Sequence, residues 1–155
     1  MFREMRRIRQ QLPEAECVEI LRGEPRGVLA VQGDDGYPYA VPMDFVYEDG
    51  KIYFHGAKDG HKMDAVRRCD KATFCVMDKG RRADGQWWLT IRSVIIFGRI
   101  RVIEDREEVL ARVRSLGLKY AGTEYVEEEL RKDAARVQCL ELSIEHMTGK
   151  RVNEK

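Results

Sequence analysis

The chain has 155 residues, enough for one domain with a full hydrophobic core. Its 28 Lys and Arg residues face 27 Asp and Glu, so a net charge of +1 gives no global basic field for nucleic acid. The longest apolar run, Val94-Ile95-Ile96-Phe97, is far too short to span a membrane.

Residues 1–10 form a basic arm carrying Arg3, Arg6, Arg7 and Arg9. No apolar stretch follows these charges, so the arm does not read as a signal peptide. It is expected to be solvated, loosely docked or turned toward an anionic partner. Pro13-Glu14-Ala15-Glu16 starts a helix, with Pro in the first turn and acids at the positive end of the dipole. Cys17, Val18, Ile20 and Leu21 supply its buried face and Gly23 ends it. A strand over 27–32, a turn at Asp35-Gly36, a strand from Tyr37 to Tyr47, a turn at Asp49-Gly50 and a strand over 51–55 make an antiparallel meander. Pro42 removes a ladder donor, so its strand belongs at an edge, at a bulge, or where something other than a strand meets the backbone.

A short helix over 61–68 and a strand over 71–77 follow, then a polar loop over 79–85. The segment from Trp87 to Glu104 is β-rich and too long for one straight strand of a small sheet, so Gly98 is expected to mark a bend or bulge. Asp105-x-x-Glu108 has capping-box spacing ahead of a helix carrying Val109, Leu110, Val113 and Leu116. Thr123 is placed to cap another helix, with Val126 and Leu130 inside. The last strand runs from Gln138 to Met147, with Leu140, Leu142 and Ile144 on one face and Glu141, Ser143 and Glu145 on the other. The pattern predicts one domain over 1–155, a mostly antiparallel barrel with peripheral helices. Cys17, Cys69, Cys75 and Cys139 show no C-x-x-C pairing. They are expected to be reduced thiols of a cytoplasmic protein.

The stretch Ile52 to Asp64 carries the most chemistry. A strand runs into a glycine-containing turn, and the basic pair His61-Lys62 opens a helix just after Gly60. Backbone N–H groups at a helix start, a Lys and close-approach glycines suit a phosphate. The spacing is neither that of a P-loop nor that of a dinucleotide fold, so a mononucleotide cofactor is expected. The competing reading is an ordinary basic helix start with Asp64 as its internal anion. His55 ends a strand, either as a rim histidine or as a group at a cofactor's reactive face. His55 and His61 lack a third ligand at metal-binding spacing, so no metal is expected. In Pro42-Met43-Asp44-Phe45, alternation puts Met43 and Phe45 on one face and Pro42 and Asp44 on the other. A flat ring lying along this strand is the functional alternative to core on one side and solvent on the other.

The order Tyr39-Ala-Val-Pro-Met-Asp-Phe-Val-Tyr47, Ile52-Tyr-Phe-His-Gly-Ala57, Gly60-His-Lys62, Ser93-Val-Ile-Ile-Phe-Gly98 and Thr148-Gly-Lys150 resembles the nitroimidazole-resistance (Nim) proteins. These belong to the pyridoxamine 5'-phosphate oxidase-like, FMN-binding split-barrel group. The resemblance implies a six-stranded antiparallel split β-barrel, a homodimer, and FMN at the dimer interface. It places Val41, Pro42, Met43, Asp44 and Phe45 along the flavin ring and His55, Gly56 and Ala57 close to it. His61 and Lys62 fall on the phosphate, where the oxidase branch has an Arg-Lys pair. Ser93 and Val94 reach the flavin across the interface. The oxidase branch's C-terminal Arg and Trp pattern for pyridoxal phosphate is absent, so vitamin B6 oxidation is not implied. The implied activity is electron transfer from NADH or NADPH through FMN to a small acceptor such as a nitroaromatic or quinone, with His55 as the catalytic candidate. A flavin- or heme-binding protein without turnover is the alternative.

Overall fold

The computed structural model describes residues 1–153. Among them, strands β1 (Gln11–Leu12), β2 (Arg26–Gln32), β3 (Pro38–Asp44), β4 (Val46–Glu48), β5 (Lys51–Gly56), β6 (Lys71–Met77), β7 (Thr90–Val102) and β8 (Gln138–Asn153) form one antiparallel sheet. Helices α1 (Glu14–Gly23), α2 (His61–Arg68), α3 (Arg106–Tyr120) and α4 (Thr123–Asp133) lie outside it. The sheet order is β3-β2-β6-β7-β8-β5-β4, with β1 on the free flank of β8. Six of the strands are long, as the barrel expectation required; the extra two, β1 and β4, have two and three residues.

The sheet curls on itself. Phe54 of β5 packs edge-on to Phe74 of β6 with ring centroids 5.0 Å apart, although two strands separate them in the sheet order. Phe45 meets the same Phe74 ring at 4.9 Å. Leu29, Phe45, Phe54, Phe74, Val76, Val94, Ile96 and Leu142 are fully buried in one core. Pro42 lies on β3, the edge strand, where its missing N–H costs no ladder bond on the open side.

The expected strand from Tyr37 to Tyr47 is broken at Phe45, between β3 and β4. Its backbone pairs with side chains of α3 instead of a strand. The Phe45 N–H donates to the Tyr120 hydroxyl at 2.9 Å, and the Lys119 ammonium donates to the Phe45 carbonyl at 3.1 Å. The same ammonium bonds the Leu21 and Glu24 carbonyls at the end of α1, at 3.3 and 2.7 Å, and sits 3.8 Å from the Phe45 ring centroid. Lys119 is therefore the C-terminal cap of a helix almost a hundred residues away.

Burial pushes the Lys119 pKa down to about 8, with Asp44 and Glu24 opposing. The folded protein then releases this proton near pH 8, and the unfolded chain near the ordinary 10.5. Between those values the unfolded state holds more protons, so stability rises with pH. Urea unfolding is expected to show the stability of wild type growing relative to Lys119→Met between about pH 8 and 10. A pH-independent difference would mean that the three carbonyls keep the ammonium charged throughout.

Three other boundaries differ from expectation. β7 begins at Thr90, not Trp87; its pairing with β6 stops at Ser93, and Thr90 pairs with Asn153 of β8. Thr123 is the first residue of α4 rather than its cap; Gly122 holds that position without a side-chain bond. β8 continues through Thr148-Gly149-Lys150 to Asn153. The Asp105 cap is as expected, its carboxylate accepting from the Glu108 N–H at 2.7 Å. The bulge at Gly98 also holds: Phe97 pairs with His146 and Gly98 with Ile144.

Glu141 lies opposite Leu140 and Leu142 but is itself buried, 2% exposed. The far face of β8 there meets a second small core containing Tyr53, Ile103, Val109 and Cys139. Arg101 and Lys51 reach Glu141 at 2.9 and 3.1 Å, and the Tyr53 hydroxyl donates to it at 3.2 Å. Burial raises the Glu141 pKa, but these partners outweigh burial and hold it below the ordinary carboxylate value.

Candidate functional site

The turn between β5 and α2 puts a cation where no carboxylate among the described residues pairs with it. Gly60 precedes α2 with φ 119°, a conformation side chains resist, and no side chain caps the first turn. Lys62 turns inward from that first turn. Its ammonium lies 3.3 Å from the Met43 thioether, its one hydrogen-bonding contact among the described residues. A Cβ added to Gly56 would stand 3.2 Å from the same nitrogen, so the strand end and the Lys are already in close approach. Burial lowers the Lys62 pKa. A half-buried ammonium beside a thioether and an uncapped helix start fits an incoming phosphate.

His61 does not share this position. Its ring packs on Tyr39 at 4.1 Å between centroids. Its Nε2 lies 3.6 Å from Asp34, whose carboxylate also accepts from Arg68 at 2.7 Å. The basic pair therefore divides: Lys62 faces β3 and β5, and His61 faces the β2–β3 turn. Neither Tyr39 nor Asp34 was legible as a partner, because the contact depends on the hairpin folding over α2.

Along β3, Met43 and Phe45 point into the core and Pro42 is exposed, as alternation predicted. Val41 packs at the core margin. Asp44, half-buried, turns to the other side and accepts from Arg26 at 2.8 Å. Asp44 and Lys62 both lie close enough to His55 to act on it electrically. The His55 pKa falls below its ordinary value, chiefly through desolvation, with Asp44 opposing and Lys62 adding. The ring edge is exposed at the surface, yet the packing around it is dense enough to favour the uncharged form. Desolvation thus favours the uncharged imidazole, which can donate at one nitrogen and accept at the other. Gly56 and Ala57 carry the chain from it toward Lys62. His55 also borders a cavity of about 410 Å³ beneath α3 and α4.

Ser93 and Val94 stand apart from this group within one chain. Val94 is fully buried, and β6 and β8 pair it with Val76 and Gly149. Met43 and Val94 share one row of the sheet but lie three strand spacings apart, about 14 Å around the wall. Ser93 alternates to the outer face, with the exposed Ile95 and Phe97. Phe2 of the basic arm stacks on Phe97 and His146, at 5.6 and 4.7 Å.

Among the described residues, no helix is long and apolar enough to cross a membrane. The model of the pyridoxamine 5'-phosphate oxidase family matches residues 13–151. Three solved structures share the fold. A candidate 5-nitroimidazole antibiotic resistance protein from Bacteroides thetaiotaomicron is 20% identical at TM-score 0.76, covering 92% of this chain and 87% of its own. A conserved hypothetical protein from Mycobacterium tuberculosis is 19% identical at TM-score 0.81, covering 95% and 90%. An FAD and heme binding protein from Mycobacterium smegmatis is 20% identical at TM-score 0.76, covering 94% and 74%. No curated protein matches the sequence significantly.

Proposed function

Because the chain belongs to the pyridoxamine 5'-phosphate oxidase family, we propose that it binds FMN and works as an oxidoreductase between NADH or NADPH and a small acceptor such as a nitroaromatic or quinone. The observation that carries this reading is Lys62, a half-buried ammonium with only a thioether beside it. Lys62 and the first turn of α2 would hold the phosphate, while Asp44, His55 and the outer side of β3 would border the ring. When bound, FMN would supply the two-electron chemistry that links a reduced nicotinamide to the acceptor. The protein's part is to fix the ring and to set a neutral hydrogen-bonding group, His55, beside it.

In this reading the protein is a homodimer. Met77, Ile95 and Phe97 expose 58%, 40% and 39% of their surface on the outer face of β6 and β7, where a second copy would cover them. The same face carries Ser93, which only a second copy would bring to the flavin. The reading also places the protein in the cytoplasm, to which four free thiols are suited.

The test is anaerobic. Purified protein is expected to be yellow, to release FMN on heating, and to bleach with NADH or NADPH. Colour without bleaching would favour a non-catalytic carrier, and a Soret band would favour heme. His55→Ala is expected to leave FMN affinity within about threefold while slowing flavin reduction by about tenfold or more. Stopped-flow reduction of the variant at wild-type speed would make His55 a structural rim residue.

A further inference from the structure

The cavity beneath α3 and α4 has a definite chemical character. Val113, Leu116 and Leu130 give it apolar walls, and the exposed rings of Tyr120 and Tyr125 flank it. Its 410 Å³ is in the range of small-molecule sites. Its charged lining is one-sided: Asp44, Glu129 and Asp133 contribute carboxylates, and among the described residues no Lys or Arg lines it. Arg26 and Lys132 pair with Asp44 and Glu129, at 2.8 and 3.2 Å, but neither lines the cavity. Asp133 makes no ion pair among the described residues. His55 closes one side, where desolvation disfavours its charged form.

A flat ring gains dispersion and stacking energy against such walls. An anion brought here loses hydration and meets three carboxylates; Arg26 and Lys132 partly offset Asp44 and Glu129, while Asp133 has no ion pair among the described residues. A cation meets the opposite field, and two tyrosine faces besides. We infer that this cavity holds the electron acceptor, and that Asp44, Glu129 and Asp133 select uncharged or cationic aromatic rings over anionic ones. The assignment of the occupant as acceptor rests on the oxidoreductase reading, through the shared wall at His55; the charge preference rests on the cavity itself.

The test is equilibrium binding of three ring-matched probes by titration calorimetry: para-nitrobenzyl alcohol, para-nitrobenzyl trimethylammonium and para-nitrobenzoate. The full chain is used, as apoprotein and loaded with FMN. The alcohol and the ammonium are expected to bind, and the benzoate at least tenfold more weakly than the alcohol. Glu129→Lys with Asp133→Lys is expected to tighten the benzoate at least tenfold and weaken the ammonium. Asp133 is the last residue of α4, where an added cation suits the helix, and the Glu129 side chain is 43% exposed, so the double variant should fold. Its far-ultraviolet dichroism and its FMN affinity give the check. Equal binding of benzoate and alcohol to wild type would overturn the inference. So would an unchanged order in the double variant, or displacement of the alcohol by stoichiometric FMN, which would give the cavity to the flavin. If the order holds and reverses as expected but bound flavin is never reduced by NADH or NADPH, the cavity's selectivity stands and the catalytic reading falls.

Discussion

Gly98→Ala destabilises the fold by about 3 kcal/mol or more, the upper end for an overpacked site. A Cβ at this position would lie 2.1 Å from the Ser143 carbonyl oxygen and 3.1 Å from a Leu142 methyl. The obstacle is backbone. Ser143 is held by pairing with both Arg99 and Lys51, so it yields only if the β7–β8 and β5–β8 ladders shift. The bulge brings the strands this close and turns β7 around the barrel. Gly23→Ala is the control: nothing lies within 4 Å of its added carbon, and the helix gains propensity. Urea unfolding should show a large drop in midpoint for the first variant and none for the second. A loss below about 1 kcal/mol for Gly98→Ala would mean that the bulge relaxes freely.

The second large effect is on the cofactor. Lys62→Met weakens FMN binding by about 1.5–3 kcal/mol, the range for a hydrogen bond to a charged group, which is roughly ten- to more than a hundredfold in Kd. Riboflavin lacks the phosphate, so the variant should bind it as wild type does. The substitution also removes a desolvated charge and leaves an apolar chain beside Met43. The melting temperature of the apoprotein is therefore expected to stay level or rise. Equal losses of FMN and riboflavin affinity would show that Lys62 acts through the fold and not on a phosphate.

The meander was legible because its signals are local. Alternation along β2, β3 and β5 and the Asp49-Gly50 turn, with both residues at positive φ, need only near neighbours to be read. The break at Phe45 was not legible, since its cause is Lys119 and Tyr120, more than seventy residues later. The burial of Glu141 was not legible for the same kind of reason; a second small core with Val109 of α3 covers that face and leaves Glu141 an anchor for Tyr53, Lys51 and Arg101. At the candidate site, the resemblance set Met43, Gly56 and Lys62 around one flavin; in the structure the Lys62 ammonium lies close to both Met43 and Gly56. The sequence could not show that His61 turns away toward Asp34, because adjacent residues of a helix point about 100° apart and the neighbours decide which faces in. Nor does any motif announce the α3–α4 cavity, whose lining is drawn from four separate elements.

β8 is the latest of the eight strands in chain order, yet it lies between β7 and β5 and also holds β1. A ribosome must therefore release it before β7 and β5 can be joined, although β7 already has β6 and β5 already has β4 on their other sides. Until then the nascent chain carries two open strand edges, with Ile95 and Phe97 on one of them, and both are templates for pairing with a stranger. Closure comes as a single late event joining segments made far apart, which makes folding slow for a chain of this size. Synthesis that stalls shortly before Gln138 would leave a sticky half-sheet rather than a smaller working protein, and chaperone demand should peak at that point of translation.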